Sequence, residues 1–229
     1  MWGSFDLKIS VIIPTLNEQA VIVENLLVLQ SLRKVGHELI VVDGGSDDDT
    51  YQMAIPLADK ILRSERGRAK QMNLGAKSAQ YDILLFLHAD TFLPVNADGL
   101  IINGLANGYK WGRFNVRLSG VARLLRVVEK MMNWRSCLTG VATGDQAIFV
   151  RQDLYEQVKG FPDIPLMEDI AFSKNLKCFG SPICIKQPVI TSSRRWEQNG
   201  IIRTIFLMWR LRLAYFLGIS SYKLKDFYN

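Results

Sequence analysis

The chain has 229 residues, of which 48% are hydrophobic and 22% are charged, so it can bury a core and is not disordered. Its formal net charge of +6 permits an anionic partner such as a nucleotide or an acidic membrane. The three cysteines fit neither a disulfide framework nor a metal site, which favours reduced thiols in the cytoplasm. Neither a secretory signal nor the apolar run of a membrane span is visible.

The first 90 residues alternate between continuous apolar runs and segments with helical periodicity. Strands are predicted at 9–13, 39–42, 60–63 and 83–87, and helices at 18–34, 49–57 and 68–79. Because the apolar runs lack polar alternation, the strands are expected to be buried on both faces of a parallel, doubly wound sheet.

The remainder of the chain is less regular. A strand with polar alternation, typical of antiparallel pairing, is predicted at 111–118, and a short strand at 147–150. Helices are predicted at 121–134, 152–158, 170–178 and 199–217. A parallel half is therefore expected to precede a mixed half.

Polar clusters follow three of the predicted parallel strands. They are PTLNE at 14–18, DGGSDDDT at 43–50 and HAD at 88–90. Since open α/β sheets bind ligands at the carboxyl ends of their strands, we expect these clusters to share one rim. Several carboxylates on one rim repel each other unless a cation or a donor-rich ligand is bound there.

Each cluster also fits an ordinary structural role when it is taken singly. Asn17 could cap the first helix, and Ser46 with Asp49 has the spacing of a capping box. Asp90 could have only the structural role of capping the turn before Pro94. The convergence of the three clusters on one rim favours function over these roles.

Basic residues surround the start of the helix predicted at 68–79. Arg66, Arg68 and Lys70 add positive charge near a helix N-terminus, where they would suit a phosphate or the rim carboxylates. A solvated basic turn is the alternative, and it explains Lys70 better than Arg68.

In this order, the segments PTLNE, DGGSDDDT, GRAKQMNLGA, FLHAD and MED resemble the family-2 glycosyltransferases of the GT-A fold, over about residues 9–196. The resemblance implies one α/β domain over 1–229, with a Rossmann-like, mostly parallel central sheet flanked by helices. Its nucleotide-sugar half would span about 1–92, its mixed acceptor half 93–196, and its C-terminal amphipathic helices 197–229. The most specific resemblance is to a small bacterial branch named for arsenosugar biosynthesis.

The resemblance also implies an inverting transfer from a UDP-, GDP- or dTDP-linked sugar to a small-molecule or lipid-linked acceptor. The donor would be lined by Pro14, Thr15, Asn17, Glu18, Asp43, Arg68, Gln71, His88, Ala89 and Asp90. Asp90 matches the last aspartate of the family's metal motif and would bind Mg²⁺ or Mn²⁺. The first aspartate of that motif is replaced by His88 here, which can bind the sugar or ligate a metal.

The pair Glu168 and Asp169 matches the position of the family's catalytic residues, with Asp169 as the base. Inverting transfer needs one carboxylate within hydrogen-bond reach of the acceptor hydroxyl, and two adjacent acids can raise one pKa. Acids that stabilise a helix N-terminus are the alternative. Further contacts to the acceptor or diphosphate are expected from Arg113, Gly144, Asp145, Arg194, Arg195 and Trp196.

Two segments, 121–135 and 201–217, combine apolar residues with arginine and lysine. Such segments can lie in a membrane interface, which would make the protein peripheral on the inner face of the cell membrane. Core helices with snorkelling arginines and a homodimer face are the alternatives. Nucleic acid is not expected as a partner.

Two other functions are alternatives for this sequence. A nucleotidyltransferase would carry a glycine-rich, lysine-containing loop after the first strand, and PTLNEQA contains no glycine. A degenerate nucleotide-binding or membrane-associated scaffold is supported only by His88 in the metal motif.

Overall fold

The apolar runs of the first half form neighbouring parallel strands in the computed structural model, which describes residues 7–228. These strands are β1 (Ile9–Thr15), β2 (Glu38–Asp43), β3 (Lys60–Arg63) and β4 (Ile83–Phe86). They lie in the order β3-β2-β1-β4, and every pairing among them is parallel. The burial of β1, β2 and β4 confirms the prediction of strands covered on both faces. The prediction is wrong for β3, which is only partly buried because it lies at the edge of the sheet. The prediction about a secretory signal concerns a terminus whose residues 1–6 lie outside the described part.

The helices of the first half are α1 (Ile22–Lys34), α2 (Thr50–Ala54), which a 3₁₀ turn extends to Leu57, and α3 (Arg68–Ser78). All were predicted, but α1 begins four residues later than expected. Residues 16–20 instead form a loop that bonds to the loop after β2. Neither the Asn17 cap nor the Ser46–Asp49 capping box is formed, because Val21 and Asp49 precede the helices without side-chain caps.

The second half extends the same sheet in the order β4-β7-β6-β8-β5. Its strands are β5 (Thr91–Phe92), β6 (Trp111–Leu118), β7 (Phe149–Arg151) and β8 (Ile183–Thr191). β7 is antiparallel to both β4 and β6, whereas β6 and β8 are parallel. The antiparallel prediction for 111–118 therefore holds for one neighbour of β6 and is wrong for the other.

The helices of the second half begin with α4 (Ala97–Ala106), which was not predicted. They continue with α5 (Arg123–Thr139), α6 (Gln152–Gln157), α7 (Glu168–Lys177), α8 (Arg194–Gln198), α9 (Ile201–Phe216) and α10 (Ser221–Tyr228). The predicted helices are confirmed with shifted ends. The separate turn α8 was not predicted, and α10 lies within the C-terminal helices implied over 197–229, although no bounds were predicted for it. Within residues 7–228, no helix is both long enough and apolar enough to cross a bilayer.

The sheet divides the main core into two layers. Val11 and Ile13 face a layer that includes α1, α4 and α5, whereas Ile12 faces a layer that includes α3, α6 and α7. Helix α3 approaches β1 so closely that a Cβ on Gly75 would lie 2.4 Å from Ile12. A smaller cluster joins α7 to α9 and α10 through Met167, Ile170, Leu211 and Leu224. This cluster places the C-terminal helices beside the carboxyl edge of the sheet.

Candidate active site

A cavity of about 370 Å³ opens where β1 and β4 end, and α7, α8 and α9 complete its wall. Many of the predicted site residues line it: Pro14, Glu18, Arg68, His88, Ala89, Asp90, Gly144, Asp145, Glu168, Asp169, Arg194, Arg195 and Trp196. The structure therefore brings together residues from both halves of the chain, as expected for strand-end loops that share one edge.

A second cavity of about 630 Å³ adjoins the first one. The two cavities share lining residues that include Glu18, Arg68 and Arg195, so they form one groove. Thr15 and Gln71 line only the second cavity, together with basic side chains from α3 and α10. An elongated ligand with an anionic group could therefore lie across Arg68, with one end in each cavity.

The loops after β1 and β2 brace each other. Asn17 Oδ1 accepts a hydrogen bond from the Asp47 amide at 2.8 Å, and the Asn17 amide donates to Ser46 Oγ at 3.0 Å. Ser46 Oγ donates in turn to Asp43 Oδ1 at 2.5 Å. Asp43 is buried and also accepts the amides of residues 45 and 46. Asn17 and Asp43 thus shape the rim of the groove, and neither contributes to the lining of its two cavities.

Gln71 ties β1 to β2 at the floor of the second cavity. Its side-chain nitrogen donates to the carbonyl oxygens of Thr15 at 2.7 Å and Val42 at 2.9 Å. Both Gln71 and Thr15 are buried, so they border the cavity mainly by fixing the ends of the two strands.

Negative charge is concentrated where the β1 loop meets the end of β4. Burial and the neighbouring Asp90 raise the pKa of Glu18, although Arg194, His88 and Arg68 oppose the shift. Glu18 Oε2 lies 3.8 Å from Arg194 Nη2, an ion pair that connects α8 to the β1 loop. Two carboxylates at this point favour a bound cation.

The donor set fits a divalent ion that arrives with a phosphate ligand. Among residues 7–228, no three acidic, histidine or cysteine side chains form a ready metal cage. Mg²⁺ in nucleotide sites is usually held by one or two carboxylates together with waters and the phosphates of the substrate. Asp90 lines the cavity and can supply such a carboxylate.

His88 and Gly144 pack tightly at one side of the cavity. His88 Nδ1 lies 3.4 Å from Asp145 Oδ1, whereas Nε2 is buried without a hydrogen-bond partner among the described residues. A Cβ on Gly144 would lie 2.5 Å from that nitrogen, so the position requires glycine while His88 keeps its place. Burial raises the pKa of Asp145, but His88 and the positive charges of Arg68 and Arg212 outweigh it and leave the pKa lowered.

Glu168 and Asp169 occupy the first turn of α7 but differ in their surroundings. Glu168 is buried, and its Oε1 lies 3.6 Å from Arg68 Nη1. Burial and the adjacent Asp169 raise the pKa of Glu168. Asp169 is partly exposed, and its two oxygens accept the amides of Gly144 at 2.8 Å and Ile170 at 2.7 Å. Asp169 is therefore the better placed of the two to meet a ligand in the cavity.

The groove includes residues that sequence reasoning did not assign to it. In the first cavity they are Leu118, Thr143, Leu166, Met167, Ile170, Thr191, Ser192, Thr204, Met208 and Arg212. Arg212 lies on α9, within the predicted segment 201–217 that combines apolar residues with arginine, and a charge in such a helix was the available signal. Burial and the nearby Arg212 lower the pKa of Arg135 to about 10, so these two cations lie within electrostatic reach of each other.

Arg113 requires a correction, because the structure places it inside the core instead of the cavity. Its side chain is fully buried, donates to the Asn133 carbonyl at 3.0 Å and also bonds to Asn115. The polar alternation of 111–118 did not reveal that β6 lies between β7 and β8 and is packed against α5.

The parallel strands and the carboxylate-lined groove define an α/β protein with the GT-A arrangement, and the chain belongs to glycosyl transferase family 2, whose profile matches residues 10–153. It is 23% identical over 231 residues to the poly-beta-1,6-N-acetyl-D-glucosamine synthase of Staphylococcus aureus (strain COL), covering 93% of this chain and 55% of that protein. It is 30% identical over 173 residues to a dolichol-phosphate mannosyltransferase of Pyrococcus furiosus, covering 68% of this chain and 45% of that protein. The chain thus spans about half the length of these relatives.

Solved structures share the fold. TarS of S. aureus, in complex with UDP-GlcNAc, has a TM-score of 0.64 at 20% identity, covering 81% of this chain and 58% of that one. The mannosyltransferase PcManGT of Pyrobaculum calidifontis, in complex with GDP-Man and Mn²⁺, has a TM-score of 0.64 at 22% identity, covering 92% of this chain and 62% of that one. The predicted fold class, a GT-A-like sheet flanked by helices, is confirmed.

Proposed function

We propose that this chain is an inverting glycosyltransferase that moves a sugar from a nucleoside-diphosphate sugar to an acceptor hydroxyl. The observation that carries the proposal is the placement of Asp169, partly exposed, in the same cavity as Asp90 and Arg68. A base, a carboxylate for a cation and a fixed positive charge are the groups that such a transfer requires. Membership of glycosyl transferase family 2 supports this reaction class.

The donor is proposed to lie along the groove formed by the two cavities. Its nucleoside enters the cavity bordered by Thr15 and Gln71, and its diphosphate lies near Arg68 at the start of α3, where a helix N-terminus favours an anion. Asp90 would hold Mg²⁺ or Mn²⁺, which when bound neutralises charge on the departing diphosphate. The Mn²⁺ and GDP-Man bound to the structural neighbour PcManGT support this assignment.

Asp169 is proposed as the base that takes the proton of the acceptor hydroxyl. Each of its oxygens accepts one backbone amide, which orients the carboxylate. Each oxygen also keeps a lone pair for the acceptor. Glu168 then acts as a positioning residue, because it is buried beside Arg68 and holds that guanidinium between the two cavities.

The identities of the substrates stay predictions. The donor base is uracil, guanine or thymine, and the acceptor is a small molecule or a lipid-linked compound. The resemblance to the bacterial branch named for arsenosugar biosynthesis, a homodimer and a cytoplasmic location also stay predictions. The chain matches about half the length of its relatives, so their substrates are not transferred to it.

A thermal-shift panel with UDP, GDP and dTDP, each with and without Mn²⁺, tests the donor site. A nucleotide at about 100 times its dissociation constant stabilises a protein by about 2.7 kcal/mol, which raises the melting temperature of a chain of this size by roughly 5–10 °C. We expect one nucleotide to give such a shift, and its sugar conjugate to be consumed in the presence of an acceptor. A shift without donor consumption would instead support the degenerate scaffold.

A further inference from the structure

Helices α5 and α9 pack against each other, and each carries an apolar stripe that faces solvent. On α9, the stripe consists of Ile202, Phe206, Trp209, Leu213 and Phe216, which are 55% to 77% exposed. On α5, it consists of Leu124, Val127, Met131, Trp134 and Leu138, which are 36% to 69% exposed. Within each helix the residues recur every three or four positions, so they lie on one side of it. We call these two stripes the outer face.

The outer face is not needed for the core of the protein. Helix α9 buries Thr204 and Leu211 on its other side, and Met208 and Arg212 from that side line the cavity. Each helix therefore has two apolar sides, one packed and one open. Exposed apolar patches of this kind, when charged residues border them, mark a surface that binds a protein or a membrane.

The charges beside the outer face indicate which partner it binds. Arg123 and Lys130 on α5, and Arg203 and Arg210 on α9, are exposed cations. The sequence of α9 contains no acidic residue. The one acidic residue of α5, Glu129, is buried and accepts the Leu118 amide at 2.6 Å. The outer face is thus apolar and cationic, without an exposed carboxylate on either helix.

A second copy of the chain would bring the same cations against this face. In a symmetric dimer the identical surface meets itself, so the arginines would face one another without acidic partners. A bilayer that contains anionic lipids complements both properties, because it accepts apolar side chains and attracts cations. Trp134 and Trp209 belong to the residue type that is enriched at membrane interfaces.

We propose that the outer face of α5 and α9 docks on an anionic phospholipid bilayer, with the apolar stripes in the interface and the four cations at the headgroups. An α-helix is about 10 Å thick, so the cavity residues of α9 would lie about that distance from the lipid. A further consequence, which rests on the proposed function, is that an acceptor carried by the bilayer reaches Asp169 from this side.

Vesicle flotation of the full chain tests the docking without any need for activity. We expect at least tenfold more protein to float with phosphatidylcholine vesicles that contain about 30% phosphatidylglycerol than with phosphatidylcholine alone, and high salt to reduce the difference. Arg203→Ser and Arg210→Ser should each weaken binding about fivefold. The pair Phe206→Glu and Leu213→Glu should abolish it.

Leu27→Glu is the matched control, because Leu27 is 56% exposed and lies on α1, which is not part of the outer face. Circular dichroism of every variant would establish that it is folded. The proposal is overturned if the anionic vesicles bind no more protein than the neutral ones, or if Leu27→Glu lowers binding as much as the α9 pair. Sedimentation that reveals a dimer, dissociated by Phe206→Glu, would overturn it in favour of a second copy.

Discussion

The groove has two walls, and the contacts within one wall are shorter than the contacts that join the two walls. Within the wall built from the β1 and β2 loops, Asn17, Ser46 and Asp43 are linked by hydrogen bonds of 2.5 to 3.0 Å. The wall built from α7 and α8 is joined to the donor side by longer ion pairs, at 3.8 Å from Arg194 to Glu18 of the β1 loop and at 3.6 Å from Glu168 to Arg68 of α3. The donor-side rim is therefore preorganised, whereas the proposed base lies on the wall that is held to it more loosely.

The largest effect is expected from Asp169→Asn, which removes the proposed base and keeps the shape of the side chain. Removing a general base lowers turnover by about 10²- to 10⁴-fold, and the donor-side wall is untouched, so nucleotide affinity should not change. Steady-state kinetics and calorimetry on the same preparation measure the two quantities. Asp226→Asn, an exposed position on α10, is the control and should keep full turnover. Normal turnover of Asp169→Asn would exclude Asp169 as the base.

The second prediction concerns Asp90, which follows β4 on the donor side of the groove. Asp90→Ala removes the carboxylate proposed for the metal, and the loss of one interaction with a charged group weakens binding by about 10- to 100-fold. The loss should be seen only with Mn²⁺ present, because the nucleoside contacts remain. Calorimetric titration of the nucleotide with and without Mn²⁺ measures it. An unchanged Mn²⁺ dependence in the variant would place the ion elsewhere.

The difference between the two sides of the groove also explains which parts of the protein could be predicted from the sequence. Strands β1, β2 and β4 are continuous apolar runs, so both their existence and the rim at their carboxyl ends were predictable. Strand β8 was missed because Pro188 argues against a central strand. The structure accommodates that proline at an irregularity, where the register with β6 shifts between Phe114 and Asn115.

The wall built from α7 and α8 was predicted only in part, because some of its residues lie beside elements that the sequence did not reveal. Asp169 and Arg194 belong to motif-like segments, whereas Thr191 ends the missed strand and Ser192 follows it. Arg212 could not be assigned, because a helix with two apolar sides does not indicate which side meets the cavity. Arg113 was misplaced because local alternation does not reveal that α5 covers β6.

The third prediction tests the junction between the two halves. Asn73 on α3 accepts hydrogen bonds from Tyr155 Oη at 2.5 Å and the Phe161 amide at 2.9 Å, and donates to the Phe161 carbonyl at 2.8 Å. Asn73→Ala leaves these partners unsatisfied and should lower the free energy of unfolding by about 2–3 kcal/mol. Urea unfolding measures the loss, and Asn103→Ala, at an exposed site on α4, should cost under about 0.5 kcal/mol. Equal losses would show that Asn73 does not join the halves.

The smallest effect is expected from Glu168→Gln, which tests the pKa of the buried acid at the start of α7. Burial and Asp169 raise the pKa of Glu168, so the folded chain binds its proton more tightly than the unfolded chain does. The stability it contributes is present below pH 4.5 and is lost as the pH rises through the raised value. Glutamine keeps the neutral form at every pH, so the variant should exceed the native chain in stability at pH 7, by under about 2 kcal/mol, and match it near pH 4.5.

Urea unfolding of the native chain and Glu168→Gln at both pH values separates two accounts of this residue. If the ion pair with Arg68 dominated instead, the variant would be the less stable protein at pH 7. Because that pair is 3.6 Å long and Arg68 is half exposed, solvent screens its attraction, whereas the burial of Glu168 is nearly complete. The cost of burying the charge therefore outweighs the pair, and a less stable variant would show that the two walls are bound together more tightly than these distances indicate.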